Sequence, residues 1–253
     1  MAAESVPGPR ELSGLGIVVP SDFALDKELW RWAPDGISLH VNRMGFVPVP
    51  VTLAMAHAVS DQVLVGQAAV ELSTVASRMC AYMCASGSFV DGLAGEKLLR
   101  EQLMFAGFDA AVTTSGALLQ ALEHLQVRTL AVATPYIDGL AWRLLDFLGE
   151  AGVDTVGGAH LGLTGAIWKV SYDEVVRLVR AADHPDAEAI FVSCTNVPTY
   201  DVIAPLEAEL GKPVLTANQV TMWAASRGLG DRAIGYGQRL LDDALRWQPD
   251  VAV

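Results

Sequence analysis

The sequence predicts an α/β protein with two pseudo-symmetric, doubly wound (Rossmann-like) parallel-sheet domains and an active site in the cleft between them. Short apolar runs of strand type alternate with longer amphipathic stretches of helical type, which is the pattern of parallel sheets covered by helices. The two halves of the chain also repeat the same strand-to-loop junctions in the same order. With 253 residues, 52% of them apolar, the chain is long enough to bury a core in each half.

This alternation predicts six strands and seven helices. The strands are expected at 14–19, 78–83, 110–114, 129–134, 189–194 and 213–216. The helices are expected at 57–75, 96–107, 117–125, 140–152, 172–182, 202–211 and 220–228.

Three pairs of segments carry the internal repeat. They are IVVPSDFALDKEL (17–29) with AVATPYIDGLAWRL (131–144), MCASGSF (83–89) with SCTNVPT (193–199), and AVTTSGALLQAL (111–122) with PVLTANQVTMWAA (213–225). We therefore expect a disordered lead-in at 1–13, a first domain at 14–124 that a last helix within 229–253 completes, and a second domain at 125–228.

Composition and charge exclude several classes of partner. The net charge is −12 and no run is rich in Lys or Arg, so nucleic-acid binding is not expected. No apolar run approaches the roughly 18 to 20 residues of a membrane span, and the N-terminus lacks the pattern of a secretory signal. Three cysteines form no disulfide pattern, which favours a reducing cytoplasm. Cys80 and Cys84 lack zinc-site spacing and no His cluster lies nearby, so we expect neither a metal nor a cofactor.

Cys84 and Cys194 stand at equivalent places in the two halves, each at the end of an apolar run. Ligands of open parallel sheets bind at the carboxyl ends of strands, where both cysteines fall. The turn after each strand presents free N–H groups, and we expect it to stabilise a thiolate and lower the thiol pKa. Cys80 lies within its strand and is expected to be a buried structural thiol.

Two thiols facing each other across a cleft suit acid–base or covalent chemistry on opposite faces of one carbon. The negative charge that develops on a substrate carboxylate then needs donors aimed at it. Asp22 is not counted among these donors, because we expect its side chain to cap the helix that begins in ALDKELW. The candidate donors are the hydroxyls and the backbone N–H groups near the strand ends: Ser21, Ala85, Ser86, Ser88, Ser115, Tyr136, Thr195 and Asn196.

The ordered motifs resemble the aspartate/glutamate racemase superfamily, and within it the branch of maleate cis–trans isomerases and arylmalonate decarboxylases. The resemblance extends from GIVVPS near residue 16 to GYGQRLLD near residue 242. Its most specific parts are VVPS (18–21), MCASGSF (83–89), ATPYIDG (133–139), LGLTG (161–165) and FVSCTN (191–196). It implies a small mono- or dicarboxylate substrate, and we also expect a homo-oligomer.

Two activities are consistent with this resemblance. Decarboxylases of this branch carry glycine at the first cysteine site, so Cys84 favours a racemase or a maleate-type isomerase that uses both cysteines. ATPYIDG, LGLTG and GYGQRLLD resemble the decarboxylase more closely, and in that alternative Cys194 alone protonates the product. Maleate isomerases carry substrate-binding asparagines that are missing here, and Phe23, Leu161 and Leu163 predict a partly apolar pocket instead. A third alternative is a carboxylate-binding module without catalysis.

Overall fold

The computed structural model describes residues 11–75 and 77–242, which form two four-stranded parallel sheets flanked by helices. The predicted α/β class is therefore confirmed. The strands are β1 (Ser13–Val19), β2 (Ile37–Arg43), β3 (Ser77–Tyr82), β4 (Ala110–Thr113), β5 (Thr129–Thr134), β6 (Asp154–His160), β7 (Ala189–Val192) and β8 (Val214–Thr216).

Ten α-helices connect these strands within the described ranges, and a 3-10 turn occupies Ile167–Lys169. The helices are α1 (Asp26–Trp32), α2 (Leu53–Val59), α3 (Gln62–Ser73), α4 (Ala85–Phe89), α5 (Gly92–Phe105), α6 (Thr114–Leu125), α7 (Asp138–Glu150), α8 (Tyr172–Ala182), α9 (Tyr200–Leu210) and α10 (Ala217–Gly228).

The two sheets have the same strand order, which is the structural form of the internal repeat. The first runs β2-β1-β3-β4 and the second β6-β5-β7-β8, with every pairing parallel. The inner strands β1, β5 and β7 are almost continuously buried, as expected of strands covered on both faces. Their carboxyl ends carry the loops that form the candidate site.

The halves are joined by a shared apolar core and by one helix of the second half that packs on the first half. A single cluster of buried side chains includes residues of both sheets, and the rings of Phe89 and Tyr136 pack edge to face with centroids 6.1 Å apart. Helix α10 follows the last strand of the second sheet but packs against α6, β3 and β4 of the first.

Some element predictions differ from the structure for local reasons. The helix predicted at 57–75 is two helices, because Asp61 accepts hydrogen bonds from the N–H groups of Val63 and Leu64 and starts a new helix there. The apolar pattern alone did not predict β2 and β6. Strand β2 carries His40, Asn42 and Arg43, and β6 carries two glycines.

Parts of the domain prediction fall outside the described residues, namely most of the lead-in at 1–13 and the end of the last helix within 229–253. Residues 229–242 form turns and loops that contact both halves. The N–H of Ile234 donates to the carbonyl of Trp32, and the N–H of Arg239 donates to Glu207. The borders at 124 and 228 remain a prediction. Within the described ranges, no helix has the length and apolar character needed to cross a membrane.

Candidate active site

The two predicted cysteines line one cavity. Cys84 follows β3 by two residues and Cys194 follows β7 by two residues, so the parallel sheets bring both thiols to facing carboxyl ends. The cavity has a volume of about 30 Å³. Its lining residues are Pro20, Asp22, Val51, Met55, Cys84, Ala85, Ser86, Tyr136, Ile167, Cys194, Thr195 and Asn196.

Cys84 has extended backbone geometry and caps a short helix. Its φ is −145° and it is the N-cap residue of α4. The N–H of Gly87 donates to its Sγ over 3.4 Å, and the Ser86 hydroxyl lies 3.7 Å from the same sulfur. The first turn of α4 therefore supplies hydrogen bonds to this thiol.

Cys194 has a φ of +86°, which residues other than glycine rarely adopt. A turn follows it, in which the N–H of Val197 donates to the Cys194 carbonyl over 3.2 Å, and helix α9 begins only at Tyr200. Backbone strain of this kind persists only where the surrounding structure holds it, and it clusters at functional sites.

Both thiols hold their protons near neutral pH, contrary to the expected lowering of the pKa. Burial raises the pKa of Cys194 to about 12, and it also raises the pKa of Cys84. Hydrogen bonds from the Asn196 N–H and the Tyr136 hydroxyl to Cys194, and from Gly87 and Ser86 to Cys84, lower the two pKa values but do not outweigh burial. The prediction was wrong because desolvation disfavours the thiolate more than the turns stabilise it.

Tyr136 places a hydrogen-bond donor in the cavity. It follows β5, its N–H donates to the Thr134 hydroxyl over 3.1 Å, and only 1% of its surface is exposed. Burial, followed by the neighbouring Cys194, raises its pKa well above the usual range of a tyrosine. The hydroxyl therefore stays protonated and can donate to a substrate oxygen.

Thr195 and Asn196 line the cavity, but their side chains are engaged in contacts between the halves. The Thr195 hydroxyl donates to the Met83 carbonyl over 3.4 Å. The Asn196 carboxamide donates to the carbonyl of Asp22 over 3.1 Å and accepts from the N–H of Ala24 over 2.9 Å. These two side chains are therefore occupied, and the turn supplies the Asn196 N–H as a hydrogen-bond donor to the Cys194 thiol.

Three predicted donors do not line this cavity. Ser88 on α4 and Ser115 on α6 are buried away from the cavity, where their hydroxyl oxygens lie 2.7 Å apart and Ser88 donates to the carbonyl of Ala85. Ser21 lines an adjacent cavity instead. A position near a strand end was the only signal for these residues, and it does not specify on which side of the backbone a side chain lies.

Asp22 lines the cavity and does not cap a helix. Helix α1 begins at Asp26, with Leu25 at its N-cap and no side-chain capping bond. The protein atoms around the Asp22 carboxylate raise its pKa by desolvation, although the residue is exposed at the cavity mouth. Its negative charge in turn raises the pKa of both Cys84 and Cys194.

A second cavity of about 130 Å³ adjoins the first and shares Pro20, Asp22, Val51 and Met55 with it. The predicted apolar residues Phe23, Leu161 and Leu163 do not line it. The Val–Pro repeat VPVPV (47–51) after β2 is the signal that could have predicted this wall. The cavity is lined by Pro20, Ser21, Asp22, Phe46, Val47, Val49, Val51, Met55, Val59, Thr164 and Gly165.

The segment that forms this wall is attached to the second half. The N–H of Val51 donates to the carbonyl of Thr164 over 2.9 Å. The Thr164 loop is in turn tied to the Tyr136 loop, since the N–H of Gly162 donates to the Tyr136 carbonyl over 3.3 Å. In the described part of the chain, no cluster of three or more His, Cys, Asp or Glu side chains could hold a metal ion.

Comparison with known proteins agrees with this geometry. The family model described as arylmalonate decarboxylase matches residues 33–241. Arylmalonate decarboxylase from Bordetella bronchiseptica is 37% identical over 169 residues, which cover 64% of this chain and 70% of that protein. Maleate isomerase from Nocardia farcinica is 27% identical over 229 residues, which cover 85% of this chain and 89% of that protein.

A solved structure is also similar over almost its whole length. It is a variant of arylmalonate decarboxylase in a liganded form, with a glycine replaced by cysteine and a cysteine by serine, and it matches with a TM-score of 0.81 at 31% identity. The match covers 91% of this chain and 99% of that one. The homologues are isomerases and a decarboxylase of the Asp/Glu racemase-like superfamily, which makes this protein an enzyme and confirms the resemblance. The chain belongs to the arylmalonate decarboxylase family.

Proposed function

We propose that the protein is a cofactor-independent isomerase that uses Cys84 and Cys194 at the carbon next to a substrate carboxylate. The observation that carries this proposal is that both thiols line one cavity, together with the Tyr136 hydroxyl and Ser86. Two acid–base groups on opposite faces of one carbon can remove a proton from one side and return a proton to the other.

One thiolate and one thiol are needed for each turnover. The thiolate takes the α-proton, and the electron pair of the broken C–H bond enters an enediolate. The opposite thiol then gives its proton to the other face of the same carbon. The charge of one thiolate raises the pKa of the other thiol, as the effect of Cys84 on the pKa of Cys194 indicates, so the second thiol keeps its proton once the first is ionised.

The enediolate needs donors that do not have to rearrange when its charge develops. Tyr136 donates from a buried hydroxyl, and Ser86 lines the same cavity. Donors of this kind typically contribute a factor of about 100 to 1,000 in turnover. They would hold the carboxylate oxygens while the α-carbon lies between the two thiols.

The adjoining apolar cavity supports a substrate with an apolar substituent. Four valines, Phe46, Met55 and Pro20 form most of its wall, whereas Asp22 at its junction with the first cavity opposes a second negative charge. A 2-substituted monocarboxylate therefore fits this site better than a small dicarboxylate such as maleate.

The experiment is proton NMR in D₂O on a pool of maleate, arylmalonates and 2-substituted propionates, with wild type and Cys84→Ala. The proposal expects wild type to deuterate the α-carbon of both enantiomers of a racemic monocarboxylate, or to form fumarate from maleate, whereas Cys84→Ala should deuterate one enantiomer at most and form no fumarate. Two-way isomerisation by Cys84→Ala at the wild-type rate would contradict it.

Decarboxylation of disubstituted malonates is the second candidate, and the 37% identity with a decarboxylase and the apolar cavity favour it. Here the bond between the α-carbon and one carboxylate breaks, carbon dioxide leaves, and Cys194 gives its proton to that carbon. Loss of a malonate carboxyl with both wild type and Cys84→Ala, together with no loss for Cys194→Ala, would establish this activity.

A further inference from the structure

In both halves, the carbonyl of the residue after the cysteine accepts a hydrogen bond from a buried side chain. The same position of the repeat takes part in this contact each time. Ser115 is the second residue of α6 and Asn218 is the second residue of α10. The Asn218 carboxamide donates to the carbonyl of Thr195 over 2.9 Å. In the first half, Ser88 donates to the carbonyl of Ala85 over 2.9 Å, with Ser115 hydrogen-bonded to Ser88.

In the second half, a charged residue joins this arrangement. The same Asn218 nitrogen donates to Oε2 of Glu28 over 3.0 Å. The other oxygen of Glu28 accepts from the N–H groups of Thr199 and Tyr200 over 2.7 and 2.8 Å. Glu28 and Asn218 are 7% and 1% exposed, so solvent competes little with these bonds.

These contacts fasten the turn after Cys194 at both ends. Asn218 holds its start at Thr195, and Glu28 holds its end at the first residues of α9. Glu28 lies on α1 of the first half, so the position of the second-half turn depends on a side chain that is 171 residues from Thr199 in the sequence. Cys84 has ordinary extended geometry, whereas Cys194 has a φ of +86° and its turn carries the additional contacts of Glu28.

We propose that Asn218 and Glu28 are positioning residues that keep the Cys194 thiol in its strained conformation toward the cavity. Ser88 and Ser115 are the corresponding residues behind Cys84. The catalytic consequence rests on the proposed function, because it assumes that Cys194 exchanges protons with a substrate. The effect on the thiol itself needs no substrate.

The test measures alkylation of each cysteine by iodoacetamide across a range of pH in the full chain, with peptide mass spectrometry to separate the sites. Glu28→Gln keeps the size of the side chain but replaces one acceptor oxygen with an NH₂ group facing Asn218. In Glu28→Gln and Asn218→Ala, alkylation of Cys194 should accelerate by about fivefold or more, because the released turn exposes the sulfur, while Cys84 changes by less than about twofold.

Two control variants test whether the effect is specific to Cys194. Ser115→Ala should accelerate Cys84 rather than Cys194. Thr221→Val removes a buried hydroxyl from α10 that bonds to Thr114 and Ala217 and to neither turn, so both rates should stay at the wild-type value. Thermal melts by circular dichroism identify any variant that fails to fold. If Asn218→Ala does not fold, the alkylation rates of Glu28→Gln, which preserves the side-chain volume, test the proposal.

Turnover provides the second measurement. On any substrate that wild type isomerises, Glu28→Gln should lower kcat by about tenfold or more with KM changed by less than about threefold, since only the thiol is displaced. Equal acceleration of both cysteines, or no acceleration of Cys194, would overturn the positioning role. If the alkylation result is as expected but no substrate is isomerised, the proposed function fails and the positioning role stands.

Discussion

Cys84 and Cys194 line the same cavity with opposite backbone conformations, at φ values of −145° and +86°. The first thiol receives its hydrogen bonds from the first turn of a helix. The second receives them from a turn N–H and from the Tyr136 hydroxyl, according to the groups that lower its pKa. The two cysteines are thus equivalent in the repeat but differ in the groups that would stabilise their anions.

The backbone of Cys194 predicts an unusual response to glycine. Glycine adopts positive φ without steric cost. The free energy of unfolding of Cys194→Gly should therefore be about 1 kcal/mol higher than that of Cys194→Ala. At Cys84 the order should reverse, because extended geometry suits alanine and glycine only adds entropy to the unfolded chain. Urea denaturation of the four variants makes the comparison, and the same order at both sites would show that Cys194 is not strained.

Asp22 should control the ionisation of both thiols. Since its charge raises the pKa of Cys84 and Cys194, Asp22→Asn should lower both pKa values and accelerate alkylation of both cysteines near pH 8. It should also lower KM for dicarboxylates more than for monocarboxylates, because the repulsion of a second carboxylate is lost.

Asp26→Asn is the control for Asp22, because Asp26 pairs with Arg43 and does not line the cavity. It should leave both alkylation rates unchanged. A response of Cys84 and Cys194 to Asp26→Asn as large as the response to Asp22→Asn would mean that net charge, and not the position of Asp22, is responsible.

Tyr136 should contribute to turnover through its hydroxyl. Tyr136→Phe keeps the packing on Phe89 but removes a donor, and kcat should fall by about 100-fold to 1,000-fold. The pKa of Cys194 should rise further, since the hydroxyl lowers it. Tyr172→Phe, at a partly exposed position away from the cavity, should change neither quantity. Unchanged kcat in Tyr136→Phe would remove this residue from the site.

Glu207 should give the stability of the protein a specific pH dependence. Burial raises the pKa of this carboxyl from 4.5 to about 7, while the N–H groups of Arg239 and Val214 bond to it. Because the folded state holds the proton more tightly, the contribution to stability is complete below about pH 4.5 and is lost as pH rises toward 7. The change is about 3 kcal/mol.

The measurement is the free energy of unfolding of wild type and Glu207→Gln between pH 4 and 8. As pH rises from 4 to 8, the free energy of unfolding of wild type should fall relative to that of Glu207→Gln. A difference that is independent of pH would show that the Glu207 carboxyl has an ordinary pKa in the folded protein.

The sequence was sufficient to predict the fold and the two thiols, because both depend on periodic signals. The duplicated strand-to-loop junctions placed Cys84 and Cys194 correctly relative to their strands. The side-chain environment was less predictable. Ser86 and Ser88 are two residues apart on α4, and only the first faces the cavity. The raised thiol pKa values depend on how deeply the junctions are buried, which no local motif encodes.

Long-range contacts account for the remaining differences. Asn196 looked like a substrate ligand from its place beside Cys194, but its carboxamide bonds to the backbone near Asp22 in the other half. Asp22 looked like a helix cap because an amphipathic stretch follows it, and the helix in fact begins at Asp26. The partners of Asn196 lie in the opposite half of the chain, where the local sequence gives no sign of them.

The central claim is that Cys84 and Cys194 act on opposite faces of one carbon. The most direct test is deuterium exchange in D₂O on the separate enantiomers of a 2-arylpropionate, with Cys84→Ala and Cys194→Ala. Each variant should lose racemisation but still exchange the α-proton of one enantiomer, and the two variants should prefer opposite enantiomers. Exchange of the same enantiomer by both variants would contradict a site with one thiol on each face.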